Sequence, residues 1–100
     1  MTLDIISEIG IDNKERLYIK PEKEKFTFIY RSAAEVHWDN NSRFLYSPKP
    51  REWSYFDWYK QIVSVVLNEY GCKLKLNSRT AWSNISAELK SEIIEFDKVF

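Results

Sequence analysis

The chain has 100 residues, enough for one domain of a size that buries roughly two thirds of its unfolded surface without disulfide staples. Its 15 basic and 15 acidic residues cancel to zero formal charge, which excludes a global field drawing it to nucleic acid or to an anionic membrane. A single cysteine, Cys72, excludes an intrachain disulfide and any multi-cysteine zinc site, and it fits a reducing, cytoplasmic setting.

The N-terminal stretch MTLDIISEIG has neither a basic leader nor a cleavable apolar run, and no segment approaches the ~18 uncharged apolar residues of a membrane span. Neither secretion nor membrane insertion is expected. Leu3, Ile5, Ile6 and Ile9 recur at helical spacing, which predicts a short helix capped by Thr2 and stopped by Gly10. Asp12-Asn13 reads as a turn, and Arg16 to Lys20 alternates as a strand with Leu17 and Ile19 inward. Pro21 suits a helix start, because its missing N–H costs nothing there. Phe26, Ile29, Tyr30, Ala33 and Ala34 then predict a helix over 22–35, with strand as the rival because 26–30 is rich in strand formers. The cations between Lys14 and Lys25 alternate with Glu15, Glu22 and Glu24, the pattern of a solvated face rather than of a nucleic-acid site.

Val36-His37-Trp38-Asp39 and Arg43-Phe44-Leu45-Tyr46 flank Asn40-Asn41-Ser42, residues that favour a tight reversal. A three-residue loop pairs Val36 with Tyr46 and Trp38 with Phe44 and gives this 36–46 hairpin one apolar face. Ser47-Pro48-Lys49-Pro50 follows as a stiff extended connector. The longest helical pattern is 54–70, with Ser54 as N-cap, Asp57 in capping-box position and Gly71 as terminator. At about 100° per residue, Tyr55, Trp58, Tyr59, Ile62, Val63, Val65, Val66, Leu67 and Tyr70 share an arc wider than an ordinary surface helix buries. Such a helix needs cover on two sides, or a second subunit. Cys72 to Leu76 alternates as a strand with Cys72 inward, and Ser86 caps a last helix that turns Leu89, Ile93 and Phe96 inward. The sum is a single domain over 1–100 of the α+β class. It combines a small antiparallel sheet around the 36–46 hairpin with three or so packed helices, the 54–70 helix being central.

His37 is the only histidine, and on a strand it shares a face with Asp39, so His37 as base and Asp39 as its orienter are the candidate catalytic pair of a small hydrolase or lyase. A surface polar pair, with Arg43 opposite Asp39 as a cross-strand ion pair, is the preferred reading of them. The unusual feature is aromatic: Trp38, Trp53, Tyr55, Trp58 and Tyr59 lie on the hairpin and the helix it feeds, and can form core, an interface or a ligand pocket. Arg51 can add oxyanion recognition there. Glu69 is the one carboxylate inside the helix's apolar arc, where burial would require a partner. No metal or cofactor site is read.

The run Val36-His37-Trp38-Asp39, with Phe44 to Trp53, is similar to small bacterial proteins carried on integron gene cassettes. The resemblance covers the middle third of the chain and has no motif tied to an activity. It implies a bacterial, cytosolic, compact and often oligomeric protein, and it transfers no site residue. The functional expectation is a non-enzymatic binding or interaction protein, a homodimer with an aromatic-lined pocket or interface for a small molecule or protein partner. A His37-based enzyme and an immunity or antitoxin-like partner are the alternatives. No nucleic acid or membrane partner is expected.

Overall fold

The N-terminal stretch is a strand, not a helix. In a computed structural model that describes residues 1–100, β1 runs for ten residues, Thr2–Ile11. The helical spacing of its isoleucines has a different origin. Pairing with β2 (Leu17–Pro21) sets Ile6 opposite Pro21 but Glu8 opposite Lys20, so the register shifts at Ser7 in a β-bulge. Strand alternation restarts after the extra residue. Ile6 and Ile9, three apart, therefore both face the core and are fully buried. Ser7 Oγ donates to the Lys20 carbonyl at 2.9 Å and holds the bulge to β2.

β1 is the middle of the sheet. Beyond β2 lie β4 (Phe44–Ser47) and β3 (His37–Asp39), while the other edge of β1 carries two parallel strands in succession. β5 (Cys72–Lys75) pairs with residues 2–5, and β6 (Ala81–Ser83) pairs with residues 8–10. Between them the Thr80 hydroxyl donates to the Ile6 carbonyl at 2.8 Å, so the bulge is also satisfied on this edge.

α1 (Tyr55–Tyr70) forms as its sequence predicts. Ser54 Oγ accepts the Asp57 N–H, Asp57 returns the bond to the Ser54 N–H, and Gly71 closes the helix at φ 62°. Its Tyr59, Ile62, Val63 and Val66 pack on Ile6, Ile9, Leu17, Ile19, Leu45, Cys72 and Leu74 in one buried cluster. Each such aliphatic side chain contributes about 1.5–3 kcal/mol on burial. α2 (Ala87–Val99), capped by Ser86, adds Leu89 and Ile93 to that cluster, with Phe96 packed against it. The opposite sheet face has no helix and carries its own aromatic row: Tyr18 stacks on Phe44 at 4.6 Å, and His37 stacks on Tyr46 at 5.2 Å.

Three further expectations are corrected. The architecture is a six-stranded mixed sheet with two helices, not a small antiparallel sheet with three or so helices. The β-branched residues of β1 gain backbone partners on both edges, which a two-turn helix could not match. The 22–35 segment is neither helix nor strand but a loop with one 3-10 turn at Ile29–Arg31. Phe26 and Ile29 anchor it in the core. Asp4, 3% exposed, accepts the backbone N–H groups of Lys23 and Glu24 and pins the start of the loop. The hairpin pairs His37 with Tyr46 and Asp39 with Phe44, leaving Asn40 to Arg43 in its loop, one residue more than expected. Asp39 Oδ1 accepts the Asn41 and Ser42 N–H groups, and Arg43 adopts φ 59°, so side-chain turn chemistry sets the loop length.

Gly10 lies under the Tyr18 ring, and a Cβ there would fall 2.3 Å from the Tyr18 hydroxyl oxygen. That ring is held by its stack on Phe44 and by a 2.5 Å hydrogen bond from its hydroxyl to Glu8. Gly10→Ala is expected to cost about 1–3 kcal/mol, read as a fall in Tm of roughly 4–8 °C per kcal/mol. In a Tyr18→Ala background the same substitution should cost nothing. An equal cost in both backgrounds would refute the contact as its cause.

Candidate functional site

Two depressions flank the first turn of α1. The rigid Ser47–Pro50 connector carries the chain from the sheet to Arg51, Glu52 and Trp53, and the Ser54 cap then fixes the direction in which α1 starts. These constraints bring Trp53 and Trp58 together, ring centroids 4.8 Å apart and tilted by 44°. They form the wall of a 360 Å³ cleft closed by Glu35, Lys49, Arg51 and Glu52. Trp53 is 45% exposed. The Trp58 indole N–H is buried and has no acceptor, as are the Trp38 indole N–H and the Ser47 hydroxyl. Leaving a buried donor unsatisfied costs about 1–3 kcal/mol. Glu35 holds φ 65°, a left-handed conformation that costs a non-glycine residue roughly 1–2 kcal/mol. The cleft is thus lined by one residue in a strained conformation, Glu35, of the kind that clusters at binding sites. Lys49 pairs with Glu15 at 2.9 Å, and that hydrogen bond raises its pKa. Arg51, Glu35 and Glu52 form no ion pair within the chain.

The second depression, of 740 Å³, lies between the first turns of α1 and α2. Tyr55, Phe56, Trp82, Ile85 and Leu89 supply its apolar wall, and Asp12, Glu15, Glu88 and Glu92 its carboxylates. It continues between Phe56 and Phe96, past Glu95. Tyr55 is fixed by its hydroxyl, which donates to the Glu15 carbonyl at 2.9 Å. Burial pushes the Asp12 carboxyl up, but hydrogen bonds from the Arg16 backbone and guanidinium and from the Lys14 N–H hold it below its ordinary pKa.

The residues singled out by sequence therefore separate. Trp53, Trp58 and Arg51 share the first cleft, whereas Tyr55 lines the second groove. Tyr59 is core, 1% exposed, and burial lifts its hydroxyl far above the ordinary tyrosine pKa. Trp38 is half-buried and meets Phe26 edge-on at 5.9 Å. Glu69 is exposed in the last turn of α1, so its carboxylate needs no partner. His37 lies against Tyr46 on the helix-free sheet face, and the Asp39 carboxylate is occupied by its own loop. Cys72 is buried, which raises its thiol pKa and works against a nucleophilic thiolate. No group of three or more His, Cys, Asp or Glu side chains is placed to hold a metal ion. No helix is long and apolar enough to cross a membrane.

Sequence reasoning missed Trp82, Phe56 and the acidic stripe of Glu88, Glu92 and Glu95. The stripe's i, i+4, i+7 spacing was readable on a helix already identified.

Comparison with known proteins places the chain within a family. Residues 4–80 match the family described as Integron Cassette Protein Hfx_Cass5. The range includes every residue of the tryptophan cleft. The chain is also similar to a solved structure from the mobile metagenome of the North West Arm sewage outfall, described as integron cassette protein Hfx_Cass5. The two are 39% identical over 98% of each chain, with a TM-score of 0.50. No curated protein gives a significant match.

Because its N–H has no acceptor, Trp58 should tolerate loss of the indole better than buried tryptophans usually do. Trp58→Phe keeps a ring, removes the unmet donor, and is expected to change stability by less than about 1 kcal/mol, against the 3–5 kcal/mol typical of truncating a buried aromatic to alanine. Thermal unfolding followed by circular dichroism checks this. A loss approaching 3 kcal/mol would mean that the N–H is already satisfied.

Proposed function

The chain belongs to the Hfx_Cass5 integron cassette protein family, and from that premise we propose that it is a non-enzymatic small-ligand binding protein with its site at the tryptophan cleft. The observation that carries the reading is the exposed Trp53 ring set against Trp58 at the wall of a cleft whose rim holds the unpaired Arg51 guanidinium.

The charges around the cleft narrow the ligand class. Arg51 offers an unpaired cation, Lys49 one already paired with Glu15, and Glu35 and Glu52 offer unpaired carboxylates. A purely anionic ligand meets the two carboxylates, and a purely cationic one meets the Arg51 guanidinium. A small zwitterion can place its carboxylate toward Arg51 and its ammonium over the electron-rich tryptophan faces near Glu35 and Glu52. At 360 Å³ the cleft lies within the range of ordinary small-molecule sites.

Titration of tryptophan fluorescence with glycine betaine, choline and acetate tests the reading. Betaine should give a saturable change, whereas choline and acetate, which each present one charge, should require at least about tenfold more ligand. Arg51→Ala should weaken betaine while leaving the melting temperature in place. Absence of a saturable signal from betaine up to about 10 mM, or equal responses to all three probes, would overturn the zwitterion site.

A further inference from the structure

We propose that the groove between α1 and α2 docks a basic amphipathic helix of a partner protein. This surface uses other residues than the tryptophan cleft and does not depend on it. Glu88, Glu92 and Glu95 stand at i, i+4 and i+7 of α2, so three carboxylates fall on one helix face over roughly 10 Å, at 1.5 Å rise per residue. Like charges at this spacing weaken a helix. Glu88 and Glu92 nevertheless have no cation partner in the chain, and Glu95 has only the exposed Lys98 at 3.0 Å. Glu88 lies in the first turn, where the helix dipole offsets its charge, but Glu92 and Glu95 lie beyond that compensation.

Alongside the stripe runs an apolar floor. Phe56 meets Phe96 edge-on at 6.0 Å, and the floor extends past Leu89 to Trp82. The two depressions, of 740 Å³ each, share Phe56, Glu88 and Glu92 and so form one elongated groove. Lys60 already places its ammonium 4.6 Å from the Phe56 ring centroid, which shows that the aromatic floor accepts a cation at its rim.

Charge complementarity selects the occupant. A helix with an apolar face and cations on successive turns lays the first on the rings and the second along Glu88, Glu92 and Glu95, the helix-in-groove mode of recognition. A single small cation would neutralise one carboxylate and leave the like-charge repulsion of the others. The carboxylates also act as a filter, because an equally apolar helix with acidic flanks would be repelled.

The test uses a fluorescent peptide of about 18 residues with leucines on one helical face and lysines on the other, and a counterpart with glutamate in place of lysine. Fluorescence anisotropy with the full chain should show saturable binding of the lysine peptide, weakening as salt is raised, and none of the glutamate peptide. The double variant Glu88→Lys/Glu92→Lys should lose at least about tenfold in affinity, whereas Glu22→Lys/Glu24→Lys, the same charge change away from the groove, should stay within about twofold. Glu92→Gln, which keeps the shape of the helix, should lose less but in the same direction, and it decides the matter should the double reversal unfold the protein. No saturable binding of the lysine peptide, or equal losses in the two double reversals, would overturn the docking site.

Discussion

The extra residue in β1 is the constraint on which the remainder of the fold depends. A strand that alternated without interruption from Ile6 would turn Ile9 and Ile11 to the face away from the helices, since a one-residue slip exchanges the faces of every later side chain. The bulge at Ser7 cancels that slip, so Ile6 pairs with Pro21 while Ile9 pairs with Ile19 on the same face. Its cost in broken ladder bonds is met from both edges, by the Ser7 hydroxyl on the Lys20 carbonyl and by the Thr80 hydroxyl on the Ile6 carbonyl. The Thr80 bond also explains how β5 and β6 can share one edge of β1, because the link between them turns where the sheet is already interrupted.

The positions of both surface depressions follow from this arrangement. The helices cover one sheet face only, and α1 enters over the end of β4 by way of the proline connector. Its first turn is therefore the place where hairpin, connector and helix meet without filling the space between them. Trp53 and Trp58 occupy one side of that turn, and Tyr55 and Phe56 the other. The tryptophan cleft carries local strain and an unpaired guanidinium, whereas the groove carries uncompensated carboxylates beside aromatic rings. Each exposes groups that the closed core does not, and the character of those groups points to the ligand that would fit.

Features set by short-range chemistry were legible in the sequence. The capping box of Ser54 and Asp57, the Gly71 terminator, the Leu17 and Ile19 alternation and the Ser86 cap each lie within a few residues of the element they define, and all appear as read. Features set by distant partners were not. The spacing of Ile6 and Ile9 imitates a helix because a bulge, invisible without β2 and Thr80, restores their common face. The 22–35 segment looks helical because Phe26 and Ile29 are spaced as anchors, and the Asp4 carboxylate that pins it lies on another element. The aromatic set was visible as composition, but its division between core, cleft and groove depended on where the first turn of α1 points.

Deleting Ser7 tests the organising role of the bulge most directly, with thermal unfolding followed by circular dichroism and Ser7→Gly as the control. Glycine keeps the extra residue and loses only the bond to Lys20, so it should unfold cooperatively with Tm lowered by roughly 4–8 °C for each kcal/mol lost. Deletion should abolish the cooperative transition, because it turns the isoleucines on one side of the break to solvent. A deletion variant that melts cooperatively at the temperature of the parent chain would contradict the account.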